Sequence, residues 1–193
     1  MNALLFGLFL IILVLAPLPL GSNREWSWTL LASALGVVTV AWSVHALLRP
    51  QAVHLQLPKL LILLFLGVCA WAGVQAAGWT PAGWHHPLWS LSAETLDTGL
   101  AGSVSLSRDD SLTALMRLLS YGLAFFLAFQ LCRNVDRAQR LLQALVGIGL
   151  LSAVYGLGTY FSGQDTFLFF WELDYRSSVH GTFVNRNHFA TWL

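Results

Sequence analysis

The constraint that most limits this chain is a series of long apolar runs. Ala3–Leu20, Trp26–Leu48, Leu57–Ala77, Leu112–Cys132 and Leu141–Phe161 are each close to or above the length needed to cross a membrane, and another run opens near Phe189. A spanning helix takes roughly 20 mostly apolar residues. The expected fold is therefore an all-α, polytopic transmembrane helix bundle with five full spans and the start of a sixth. Composition agrees: 56% of the 193 residues are hydrophobic and 10% are charged, against about 25% charged in ordinary soluble domains. A net charge of +1 offers no basic surface for nucleic acid.

The first run could pass for a secretory signal. However, Met1-Asn2 supplies no basic start, and Pro17 and Pro19 spoil a small-residue cleavage site. It reads as a retained helix. Lys and Arg gather in two short connections, with Arg49 and Lys59 around one and Arg133, Arg137 and Arg140 after Cys132 in the other. By the positive-inside tendency these connections and the N-terminus are cytoplasmic. Residues 78–111 and 162–188 are then external, and together with the connection holding Glu25 they carry eight of the nine acidic residues. Trp26, Trp28, Trp79, Trp84, Trp89 and Trp171 fall near the outer face, where indoles suit the headgroup level. Pro81, Gly83 and Pro87 mark the first external loop as turn-rich. Thr166–Trp171 is too short to span and reads as a short interfacial helix or re-entrant piece.

Several groups could carry chemistry. Arg117 stands five residues into the fourth run, where an ionisable residue is a functional candidate; the plainer reading lets its long stem snorkel to the headgroups. His85-His86 has no third ligand nearby and reads as a pair of solvated loop histidines rather than a metal site. Asp109-Asp110 precedes an apolar run and reads as an acidic helix start. Cys69 and Cys132 sit in separate apolar runs and read as small apolar residues. Arg24, Arg176, Arg186, His180 and His188 form an external set. Arginine's fork suits phosphate oxygens, and histidine can take a proton from a hydroxyl near neutral pH. Ordinary headgroup contact is the rival explanation.

Three stretches carry a family resemblance. "PLPLGSNREWSW", "SLSRDDSLTALMRLLSYGLAFFLAFQLCR" and, most specifically, "GTFVNRNHFATWL" resemble, in order, parts of bacterial O-antigen ligase and O-antigen polymerase-like membrane proteins. The resemblance implies a multi-pass inner-membrane glycosyltransferase. Such an enzyme takes a glycan from undecaprenyl diphosphate, passes it to a lipid or glycan acceptor on the periplasmic side, and uses no metal or other cofactor. It also implies that residues 1–193 are the N-terminal transmembrane portion, without the periplasmic region that holds the family's catalytic histidine. The expectations are a truncated chain that is inactive alone and has no assigned catalytic residue. Asn185, Arg186, Asn187 and His188 would open a helix at the outer surface facing a lipid diphosphate or glycan, with Arg24, Arg176 and Arg117 as further candidates. The alternative for these four is a loop–helix junction held by polar caps; capping needs one Asn and no Arg. The competing functions are a transporter subunit, since similar sequences have been described as bicarbonate transporters, and a non-catalytic membrane remnant.

Overall fold

The computed structural model describes residues 2–49, 58–163, 166–167, 171–172, 178–183 and 185–193. The described helices are α1 (Asn2–Leu15), α2 (Glu25–Leu48), α3 (Lys59–Ala76), α4 (Leu88–Leu96), α5 (Arg108–Leu131), α6 (Val135–Ser162) and α7 (Arg186–Trp192). Strands β1 (Thr166–Phe167) and β2 (Trp171–Glu172) pair antiparallel.

Four of these helices, α2, α3, α5 and α6, are long and apolar enough to cross a membrane. Their surfaces stay apolar where they face outward: Leu47, Leu60, Leu63, Val146 and Leu151 are all exposed. A helix that is apolar on its outward as well as its inward faces needs hydrocarbon around it. The chain is a multi-pass membrane protein.

The first apolar run departs from expectation. Its helix stops at Leu15, and the chain then turns through a short 3-10 segment, Leu20–Ser22. Pro17 and Pro19 each lack an amide hydrogen and restrict the residue before them, so the helical ladder cannot continue. The 14 residues of α1 extend about 21 Å at 1.5 Å per residue, short of the roughly 30 Å hydrocarbon core. The described residues of the segment from Thr166, 166–167 and 171–172, are extended rather than helical. They pair as β1 and β2, with Thr166 opposite Glu172 and Phe167 opposite Trp171, as suits β-branched and aromatic residues.

The chain divides into two compact units, residues 1–54 with 123–193, and residues 55–122; the boundary falls inside α5. In the first unit α1 lies against α2 and α6. Leu5, Phe6 and Phe9 of α1, Leu35, Val38 and Trp42 of α2, and Leu127 and Leu131 of α5 form its core. Trp42 meets Phe126 edge to face at 4.9 Å, the arrangement that ring quadrupoles favour. At one end of this core Arg137 lies 5.4 Å from the Phe6 ring centre and donates to the Leu131 carbonyl. Arg137 and Arg140, read from sequence as loop charges, stand on α6, because Asn134 caps that helix by accepting from the Arg137 amide at 2.8 Å.

In the second unit α3 and the first half of α5 run antiparallel. The Phe65 ring occupies the space beside Gly122, while at the opposite end Arg108 donates to the Ala76 carbonyl at 2.9 Å. The connection between them is folded and contains α4. Its two histidines are half-buried: His85 Nε2 bonds the Thr80 carbonyl at 2.8 Å, and His86 Nδ1 accepts from the Leu88 amide. Trp89 donates its indole N–H to the Ser105 carbonyl. Asp109 and Asp110 do lie in the first turn of α5, with Ser107 as the partner at its start. The Ser107 hydroxyl accepts from the Asp110 amide at 3.4 Å and donates to the Asp110 carboxylate at 2.6 Å, a side-chain cap that begins α5 earlier than the apolar run does.

Candidate functional site

The candidate residues cluster around the start of α7, and what holds that helix decides which side chains are left over. The segment ahead of it turns sharply: the Phe183 amide donates to the His180 carbonyl at 3.0 Å, with Gly181 at a positive φ of 54° inside the turn. The Phe189 ring, 3% exposed, fits a notch made by two glycines. A Cβ at Gly156 of α6 would stand 2.9 Å from Phe189 Cζ, and one at Gly181 would stand 2.7 Å from the same atom. Phe183 lies 5.8 Å from Phe189 and 6.2 Å from Trp192, centre to centre. Small residues on a membrane helix allow this close approach.

Asn185 performs the capping. Its side chain accepts from the Asn187 amide at 2.8 Å, which satisfies one of the donors that a helix start leaves open. The Asn187 carbonyl accepts from Thr191. Arg186, Asn187 and His188 are exposed, and among the described residues no hydrogen bond or ion pair uses their side chains. A cation, an amide and an imidazole thus project from a single turn and are not needed to hold it.

Arg24 comes to the same end of the same unit. The Phe183 ring packs directly on Gly21, three residues before Arg24, and Phe183 itself is three residues before Arg186. Arg24 is exposed, in extended backbone immediately before α2, and its side chain makes no capping bond. His180 differs from the rest of the external set. It is buried, with Ser178 Oγ 3.0 Å from its Nε2, so it helps build the turn and is not presented outward. Arg117 belongs to the other unit. It is half-buried and engaged with the protein, and lies about 13 Å along α5 from Arg108 at 1.5 Å per residue. Arg176 lies outside the described residues.

Sequence reading missed the glycine–phenylalanine notch. Its signals were present as Gly156 within an apolar run and Gly181 ahead of the polar cluster, but nothing local pairs either with Phe189. Arg108, which ties the start of α5 to the end of α3, was missed too. Among the described residues no three His, Cys, Asp or Glu side chains gather as metal ligands. Comparison with protein-family models, curated proteins and solved structures finds no match.

Proposed function

We propose that this chain serves a bacterial inner-membrane glycosyltransferase of the O-antigen ligase or polymerase-like kind, which moves a glycan from undecaprenyl diphosphate to a periplasmic-side acceptor. The observation that carries the reading is the division of labour at α7. Asn185 caps the helix and Phe189 anchors it, which leaves Arg186, Asn187 and His188 exposed, while Phe183, three residues before Arg186, packs on Gly21, three residues before Arg24. A diphosphate offers several anionic oxygens, and a planar guanidinium binds such oxygens through two parallel hydrogen bonds. Asn187 and His188 add hydrogen-bonding groups suited to sugar hydroxyls. The resemblance in "GTFVNRNHFATWL" coincides with this turn.

The reading includes an orientation, with the basic connections near Arg49 and Lys59 and near Arg133 cytoplasmic and the α7 end periplasmic. Glu94 and Gln139 are both exposed. A cysteine placed at Glu94 should react with an impermeant thiol reagent in intact spheroplasts, and one at Gln139 should react only after lysis. Labelling in the reverse order would invert the topology and put the arginines on the wrong side.

Donor recognition has its own test. The purified protein should bind undecaprenyl diphosphate at least about tenfold tighter than uncharged undecaprenol, since one charge-assisted hydrogen bond amounts to about 1.5–3 kcal/mol. Equal affinity for the two lipids would contradict the proposal.

A further inference from the structure

The connection between α3 and α5 is tied to the place where α3 ends. The Ser105 amide donates to the Gln75 carbonyl at 2.9 Å, in the last turn of α3, and Arg108 donates to the Ala76 carbonyl beside it. The 18 residues of α3 extend about 27 Å, close to the roughly 30 Å hydrocarbon core. Its last turn therefore marks the boundary between hydrocarbon and headgroups. α4 is fastened to this level from one side. The His86 amide just ahead of it donates to the Ser103 carbonyl at 3.0 Å, and Trp89 donates its indole N–H to the Ser105 carbonyl at 3.1 Å.

Three faces divide α4. Trp89, Ser92 and Ala93 share the half-buried side. About a third of a turn away from it, Leu88, Leu91 and Thr95 form a second stripe, and Ser90 and Glu94 form a third. All five of these residues are exposed. The second stripe is apolar in effect: Leu91 is 57% and Leu88 43% exposed, and the Thr95 hydroxyl is bonded back to the Leu91 carbonyl at 2.8 Å. Trp79 and Trp84, on the stretch leading into α4, are exposed as well, and indoles suit the headgroup level. α4 carries no Lys or Arg, so this surface has nothing to attract an anionic partner.

We propose that α4 is an interfacial helix that seats this connection on the bilayer. Leu88 and Leu91 enter the leaflet at the end of α3, Trp79 and Trp84 lie among the headgroups, and Ser90 and Glu94 face water. Lipid is the occupant because the stripe stands at the edge of the same leaflet that surrounds the exposed Leu112 and Met116 in the first turns of α5, within the same unit. The seating holds whichever side of the membrane this end faces, so it stands apart from the glycan-transfer reading.

The test is electron paramagnetic resonance of single spin labels on Leu88→Cys, Ser90→Cys, Leu91→Cys and Glu94→Cys. The full 193-residue chain carries Cys69→Ala and Cys132→Ala and is reconstituted in phosphatidylcholine vesicles. Collisions with oxygen, which concentrates in hydrocarbon, are compared with collisions with a water-soluble nickel chelate. Labels at Leu88 and Leu91 should favour oxygen, at a depth of about 5–10 Å into the headgroup and acyl boundary. Those at Ser90 and Glu94 should favour the chelate. All four side chains are exposed, so the labels displace no packed residue. Equal chelate access at the four positions would overturn the proposal. Labels at Leu88 and Leu91 shielded from both reagents would overturn it too, in favour of a protein partner. Spectral broadening that disappears on dilution with unlabelled protein would identify that partner as a second copy of the chain.

Discussion

Gly181→Ala should destabilise the protein by about 2–5 kcal/mol, adding left-handed backbone strain of about 1–2 kcal/mol to about 1–3 kcal/mol of overpacking. Gly181 holds φ at +54°, and an added methyl would press on Phe189, with Cζ at 2.7 Å and Cδ2 at 2.9 Å. The ring also lies close to Gly156, where an added Cβ would stand 2.9 Å from Cζ. Gly163 supplies the control. It has a similar φ of +65° at the end of α6, but a Cβ there would meet nothing within 4 Å. Gly163→Ala should thus show the backbone term alone, about 1–2 kcal/mol. The difference between the two variants, read by thermal unfolding in detergent, isolates the steric part. Shrinking the ring in a Gly181→Ala, Phe189→Leu pair should recover some of it, because residues in contact couple. Equal loss in the two glycine variants would mean that Phe189 is not seated in this notch. α7 would then lack its anchor, and the placement of Arg186 would lose its basis.

The sequence and the structure agree where the signal is local and long. The runs behind α2, α3, α5 and α6 are continuous enough that their helices could be read directly, and so could the capping asparagine ahead of α7. The disagreements lie where a short polar signal overrides an apolar count. The apolar run through Leu20 suggested a full span, yet two prolines end α1 at Leu15. Ser107 with Asp110, and Asn134 with the Arg137 amide, start α5 and α6 outside their apolar windows. The segment from Thr166 is too short to span, and β-branched and aromatic residues at its ends favour the pairing of Thr166–Phe167 with Trp171–Glu172.

The candidate site was legible only as a set of residue types. "NRNH" announced a helix start with surplus polar groups, but no sequence pattern links Arg24 to Arg186. That link runs through Phe183 on Gly21, a contact spanning most of the chain. His180 could not be separated from His188 by type, since both are histidines near the same turn. Burial separates them: His180 is 8% exposed, whereas His188 faces outward.

Arg186 is where the account is most exposed to refutation. If its guanidinium grips the donor diphosphate, Arg186→Ala should lower glycan transfer roughly ten- to a hundredfold, the equivalent of about 1.5–3 kcal/mol for a lost charge-assisted hydrogen bond. Arg186→Lys should be nearly as poor, because lysine keeps the charge but not the planar fork. Neither change should reduce the amount of inserted protein, since the side chain is exposed and α7 is held by Asn185 and Phe189. The measurement is the transfer rate from undecaprenyl-diphosphate-linked glycan, normalised to membrane-inserted protein, in cells whose only ligase is the protein carrying this sequence. A large loss in both variants at unchanged abundance is the predicted result. Near-normal specific activity in both, or a fall in abundance that accounts for the whole loss, would contradict it and reduce "NRNH" to a loop–helix junction.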